Sequence, residues 1–225
     1  MEKPTVAVSD LNHAFGQGTL RKSVLMQINL NIYPGEIIIL AGPSGSGKTT
    51  LLSLIGGLRS VQAGSLKVLG KELYGIGKHQ LTKVRNQIGF IFQHNNLLKC
   101  LSADGNVRMS LKLHPEIPKR EYRQRATAIL EAVGLGDKID SYPAFLSGGQ
   151  QQRVAIARAL VAQPKLVLAD EPTAALDSRT GRDVVDAIQR LAKETNCSVL
   201  LVTHDNRILD IADRIVQIED GRIQS

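Results

Sequence analysis

Tryptophan is absent from this 225-residue chain, and four phenylalanines and four tyrosines bring the aromatic share to only 4%. Proteins that bind single strands by stacking bases on aromatic platforms need more rings than this, so no nucleic-acid partner is expected. The two cysteines, Cys100 and Cys197, form neither a CxxC pair nor a zinc-like cluster with histidines. That pattern excludes a disulfide framework and fits a reducing compartment. Long apolar runs are missing as well. Stretches such as Ile37 to Ala41 and Leu166 to Ala169 fall far short of the roughly 20 residues of a membrane-crossing helix. Met1-Glu2-Lys3-Pro4 offers no basic segment, apolar core or small-residue cleavage site. The expectation is a chain that stays inside the cell and does not cross a bilayer by itself. Gly/Ser linkers, low-complexity tracts and internal repeats are also lacking, which points to one domain.

The length suffices to enclose a substantial core, and 43% hydrophobic with 22% charged residues is ordinary for a globular protein. The net charge of +7 suits an anionic membrane face as well as nucleic acid. Its basic residues are scattered, however, and select neither.

Short apolar runs alternate with amphipathic stretches, an α/β signature. Strands are predicted at Val24 to Asn31, Glu36 to Ala41, Ile88 to Phe92, Leu166 to Asp170, Ser198 to Thr203 and Arg214 to Glu219. Several are continuously apolar, as strands of a parallel sheet covered on both faces are. Helices are predicted after Lys48 and Ser147, over Lys119 to Val133, and over Ser178 to Lys193, where Val184, Val185, Ile188 and Leu191 recur at helical spacing. From Gln93 to Tyr142 helical pattern and turns occur without a buried strand. Asp220-Gly221 between two alternating runs marks a hairpin.

Gly42-Pro43-Ser44-Gly45-Ser46-Gly47-Lys48-Thr49-Thr50 matches GxxxxGK[ST] directly after an apolar run. This is a phosphate-binding loop. Its glycines let backbone N–H groups wrap an anion at a helix N-terminus, and Lys48 adds a mobile positive charge. The Thr49 hydroxyl is placed to hold Mg²⁺, and a nucleotide is the expected ligand.

Leu166-Val167-Leu168-Ala169 ends in Asp170 and Glu171, two carboxylates at the point where a buried strand emerges. Asp170 is positioned to organise the metal ion, and Glu171 to activate or orient the water that attacks the γ-phosphate. Downstream, Ser147, Gly148, Gly149 and Gln150 open a helix. Free N–H groups there make a second anion site, although Ser147 is equally readable as a plain helix cap.

Leu146-Ser147-Gly148-Gly149-Gln150-Gln151-Gln152-Arg153 resembles the LSGGQ signature of the ABC ATPases. The resemblance covers essentially the whole chain. It implies an α/β phosphate-loop ATPase with a mixed-sheet core and a mostly helical signature subdomain. Residues 1–225 would form one domain, in which about 1–92 and 164–225 make a RecA-like core with an antiparallel β part and 93–163 the helical subdomain. It also implies that Gln93 is the Q-loop glutamine, near the metal ion and water, that Leu176-Asp177 is the D-loop, and that His204 is the switch histidine. Phe15 would be the ring that meets adenine, where tyrosine is commoner. Ala174-Ala175 departs from the polar residues found in many D-loops.

An ATP-dependent head-to-tail homodimer follows from the same resemblance, with Ser147 and Gly149 touching the nucleotide of the partner. Phe92 to Leu98, Asp170 to Thr173 and Asp205 to Asp210 look most like the exporter group of MacB, LolD and DevA subunits, with DevA-type chains most alike from Asp183 to Asp220. That implies separate membrane-spanning permease subunits, a periplasmic adaptor, a place on the cytoplasmic face of the inner membrane, and lipid or glycolipid export.

Overall fold

The computed structural model describes residues 2–224. Two sheets form the scaffold. In the first, β3 (Ile37–Ala41), β6 (Ile88–Ile91), β7 (Leu166–Asp170), β8 (Ser198–Val202) and β9 (Arg214–Glu219) run parallel, and β10 (Arg222–Ile223) closes one edge antiparallel, in the order β10-β9-β3-β8-β7-β6. The second is antiparallel, in the order β2-β1-β4-β5, from β1 (Val6–Phe15), β2 (Lys22–Ile32), β4 (Ala63–Val68) and β5 (Lys71–Glu72).

Alternation along the parallel strands divides the interior into two cores. Ile37, Ile39, Val167, Ala169, Val199 and Leu201 face one core, shared with α3 (Ala103–Leu111), α4 (Tyr122–Ala132), α5 (Gly148–Leu160) and α6 (Ser178–Glu194). Ile38, Leu40, Leu166, Leu168, Leu200 and Val202 face the other, with α1 (Lys48–Ile55) and the antiparallel sheet. Side chains of successive strand residues point to opposite faces, so continuous apolar runs are what a sheet covered on both faces demands. The short α2 (Lys78–Arg85) buries only Val84.

Most predicted strands and helices appear within a residue or two. Glu36, Phe92 and Thr203 fall just outside their strands. The stretch expected to be helical from Lys119 begins as a 3-10 turn, Lys119–Glu121, because Pro118 leads in and Glu121 supplies no side-chain cap to α4. No strand occurs between Gln93 and Tyr142 among the described residues. The Asp220-Gly221 hairpin forms with φ of 45° and 74°, the left-handed pair that a tight turn needs. Strands β1, β4 and β5 and helices α2 and α3 were not among the predicted elements.

Candidate functional site

The phosphate-binding loop joins β3 to α1, at the carboxyl end of the parallel sheet. Gly42 has φ of 141° and lies so close to β9 that a Cβ would strike the Ile218 carbonyl oxygen. Gly47 caps α1 in the left-handed region, at φ 105°, and a Cβ there would meet Leu25 and the Val24 carbonyl. Only glycine satisfies both demands at once. Gly45 is left-handed too, at φ 81°. Pro43 and Ser44 lie exposed at the loop's tip, Ser46 is buried, and Thr50 lies in the first turn of α1.

Lys48 is 7% exposed and its Nζ donates to the Gly42 and Pro43 carbonyls at 2.8 Å each. The Thr49 hydroxyl donates to Asp170 Oδ1 at 3.2 Å, across 121 residues of sequence. Burial pushes the Asp170 carboxyl above its ordinary pKa; the Glu171 charge adds to that, while Thr49 and Lys48 oppose it. A hydroxyl and a carboxylate converging beside a lysine are the hard oxygen donors that Mg²⁺ prefers. The donor set therefore fits that ion.

Glu171 follows β7 with a left-handed backbone, φ 49°, and its N–H donates to the Val202 carbonyl on β8 at 2.9 Å. Strain of this kind persists where surrounding structure fixes it. The carboxylate Oε1 lies 2.7 Å from His204 Nδ1, with the histidine side chain 72% exposed and the glutamate 17%. His204 stands two residues beyond β8 as Glu171 stands one beyond β7, so neighbouring parallel strands deliver both to the same edge. Gln93 comes two residues after Ile91, the partner of Ala169 in β6 to β7 pairing. It lines a cleft of about 680 Å³ with Gly148, Gln151, Gln152, Pro172 and Leu176.

The helix α5 begins with a reciprocal cap. Ser147 Oγ accepts from the Gln150 N–H at 3.2 Å, and Gln150 Oε1 accepts from the Ser147 N–H at 2.9 Å. Gly149 packs so closely on α6 that a Cβ would overlap Thr180 Cγ2, whereas a Cβ on exposed Gly148 would meet nothing within 4 Å. Asp177 caps α6 by accepting from the Thr180 N–H at 3.1 Å. None of the described hydrogen bonds joins residues 147–150 to the phosphate-binding loop. The residues expected at the site thus fall into two groups: loop, Asp170, Glu171 and His204 in one, Ser147 to Gln150 in the other, with Gln93 in the cleft beside Gly148.

Phe15 ends β1, 37% exposed, with the Arg59 guanidinium 4.8 Å from its ring centroid. Arg59 was not singled out from the sequence, nor was Arg158, which donates to the Asn95 and Asn96 carbonyls at 2.7 and 2.8 Å and ties α5 to the segment after Gln93. Their partners are a ring and backbone carbonyls distant in sequence, which leave no local pattern.

Among known proteins, the family described as ABC transporter matches residues 25–174. The macrolide export ATP-binding/permease protein MacB of Aggregatibacter actinomycetemcomitans is 44% identical over 98% of this chain and 34% of its own length. The methionine import ATP-binding protein MetN 1 of Salmonella typhimurium is 42% identical over 97% and 64%. This chain therefore spans about a third of the first relative and under two thirds of the second. The lipoprotein-releasing system ATP-binding protein LolD of Pseudomonas fluorescens is 43% identical over 99% of this chain and 98% of its own. A solved dimeric ATP-binding cassette, in a post-hydrolysis state bound to ADP and Pi, superposes with a TM-score of 0.89 at 37% identity, covering 98% of this chain and 97% of that one. With these likenesses added to a phosphate-binding loop, two strand-end carboxylates and a capped signature helix, the chain belongs to the ABC transporter family as its ATP-binding, ATPase domain.

Proposed function

We propose that this chain powers export through separate membrane-spanning subunits, working as an ATP-dependent homodimer. The observation that carries the reading is the division of the site into two half-sites that the chain does not join internally. Head-to-tail pairing of two copies sets Ser147, Gly148, Gly149 and Gln150 of one against nucleotide held by the loop of the other, an arrangement in keeping with the dimeric solved relative. Exposed Gly148 fits this role, because nothing in its own chain requires the missing side chain there.

In this reading the loop N–H groups and Lys48 bind the phosphates, and Phe15 meets the base. Thr49 and Asp170, with Gln93, would hold Mg²⁺, which supplies charge neutralisation at the phosphate oxygens. Glu171 orients and deprotonates water, and His204, hydrogen-bonded to it, steadies the carboxylate and contacts the γ-phosphate. Hydrolysis removes the group that holds the two half-sites together, and the helices of 93–163 move against the core as a subdomain.

No helix among the described residues is long and apolar enough to cross a membrane, and in this reading the membrane-spanning part is supplied by other subunits. The segment from Gln93 through Asn96, Leu97, Leu98 and Lys99 is the surface proposed to receive it, on the cytoplasmic face of the inner membrane. The likeness to MacB, named for macrolide export, and to LolD, named for lipoprotein release, supports export; a periplasmic adaptor and a lipid or glycolipid cargo rest on the sequence resemblance alone. MetN 1, an import protein, is nearly as similar, so direction is tested directly. Tagged Glu171→Gln protein is purified with ATP from gently solubilised native membranes and its partners identified by mass spectrometry. A permease with a periplasmic adaptor is the expected result. A permease with a substrate-binding protein would indicate import, one with a cell-wall hydrolase would indicate force transmission, and ribosomal or repair partners without a permease would overturn the transporter reading.

A further inference from the structure

The surroundings of Phe15 are more elaborate than an exposed ring requires. Two hydrogen bonds from one side chain fix the preceding residue: Gln62 Oε1 accepts from the Ala14 N–H and Gln62 Nε2 donates to the Ala14 carbonyl, both at 2.9 Å. This pair extends the β1 to β4 ladder, whose last partners are Asn12 and Ala63, to the end of β1. His13, only 6% exposed, sets its imidazole perpendicular to the Phe15 ring, with centroids 5.0 Å apart and planes at 80°. Arg59, in the loop that follows α1, stacks its guanidinium 4.8 Å from the ring centroid, within the distance at which a cation is attracted by an aromatic face. The preceding residue, a perpendicular ring neighbour and a cation over the ring are therefore supplied by three different side chains.

The ring remains 37% exposed, and its place in the fold says what it is near. Phe15 pairs with Lys22 on β2. Val24, two residues further along β2, lines the pocket formed with Gly45, Gly47, Thr49 and Thr50. Two residues of strand and one strand spacing put the Phe15 backbone on the order of 8 Å from that of Val24 at the pocket's edge, an interval comparable to the one a ribose spans between phosphates and base. We propose that Arg59 is a positioning residue for the nucleotide base: it covers one face of Phe15 and presents the other as the platform on which a purine stacks. A guanidinium on the back of the ring draws π density toward itself, which favours stacking of an electron-rich purine on the front. It also fixes the ring before the base arrives, so less rotamer freedom is lost on binding. The inference rests on the reading of Phe15 as the base-contacting residue.

Affinities of wild type, Arg59→Met, Arg59→Lys and Phe15→Ala are measured by calorimetry for Mg²⁺-ATP and for Mg²⁺-tripolyphosphate, which lacks ribose and base. Wild type is expected to prefer ATP, and Phe15→Ala to lose that preference. Arg59→Met is expected to bind ATP about 2- to 5-fold more weakly with tripolyphosphate unchanged, to show a raised KM at unaltered kcat, and to be restored in large part by Arg59→Lys. Equal weakening toward both ligands in Arg59→Met would make the arginine a scaffold residue and overturn the proposal. Unchanged ATP affinity would do the same, and tighter ATP binding would place the guanidinium on the face that the base needs. If wild type shows no preference, or Phe15→Ala keeps it, the base-contact reading of Phe15 falls first and the proposal with it.

Discussion

Two adjacent carboxylates at the end of β7 sit in different environments, and the roles proposed for them differ accordingly. Glu171, hydrogen-bonded to an exposed histidine, is read as the group that handles water. Glu171→Gln is expected to retain ATP binding while slowing turnover by roughly 10²- to 10⁴-fold, the usual share of a positioned general base. Phosphate release and nucleotide affinity, measured side by side, check this, and near-normal turnover would reject the role. Asp170 is half-buried, and burial raises its pKa, so its charge is a cost to the nucleotide-free fold. Protonation preferred in the folded chain means that stability contributed by the neutral form is lost as pH rises through the raised value. Asp170→Asn keeps the shape without the charge. It is expected to raise Tm of the nucleotide-free protein by about 2–4 °C, what about 1 kcal/mol amounts to at this chain length, while Mg²⁺-dependent nucleotide binding falls. A lower Tm would show that the Thr49 hydrogen bond outweighs the desolvation.

Between elements, the contact of α5 with α6 sets the position of the signature helix. Gly149→Ala drives a methyl into Thr180 Cγ2 and is expected to cost about 1–3 kcal/mol, as overpacking does. Thr180→Ser removes that methyl, and the double variant is expected to recover much of the loss in denaturant unfolding, a coupling that independent sites lack. A second junction responds to acid. Asp213 accepts from Ile37 N–H at the start of β3 and from Lys193 on α6. Burial works against its charge, but these two partners outweigh it and hold the carboxyl below its ordinary value. The stability it contributes is present above the unfolded carboxyl's pKa and is lost as pH falls through the lowered folded value. Unfolding curves of Asp213→Asn are therefore expected to converge with wild type below about pH 4 and to fall under it at neutral pH. Equal separation at every pH would assign the effect to packing instead.

What was legible in the sequence follows the same division. The parallel strands and the phosphate-binding loop could be read because each is a continuous local pattern. Strand β1 could not: Asp10 turns left-handed at φ 48°, and register shifts at Leu11, His13 and Ala14 destroy its alternation. Helix α3 was hidden because buried Asn106 reads as a turn residue, yet its side chain is spent on the backbone of Leu98, Leu101 and Ser102. Lys48, Asp170 and Glu171 announced themselves by spacing. Arg59, Gln62 and Arg158 act on a ring or backbone groups 44 to 63 residues away, and no spacing rule covers such a pair.

For the molecule as a whole, the separation of its half-sites makes association testable apart from folding. Gly148→Val introduces a side chain into space that its own chain leaves open. It is expected to leave Tm within about 2 °C of its parent, as surface changes do, and to abolish the ATP-dependent dimer that Glu171→Gln otherwise traps. Light scattering after size exclusion reads the outcome, and a persisting dimer would place the signature away from the interface.

The two cores divided by the parallel sheet also act as a parity check on the site. Odd-numbered apolar residues of β3, β7 and β8 belong to one core and even-numbered ones to the other; Asp170 continues that count at the end of β7, and Glu171 turns off it at φ 49°. Inserting or deleting one residue within β7 exchanges the two faces and moves both acids out of register with Thr49 and His204. A chain that keeps its interior in phase therefore keeps its acids in phase, so a frame error in this strand disturbs packing and site together.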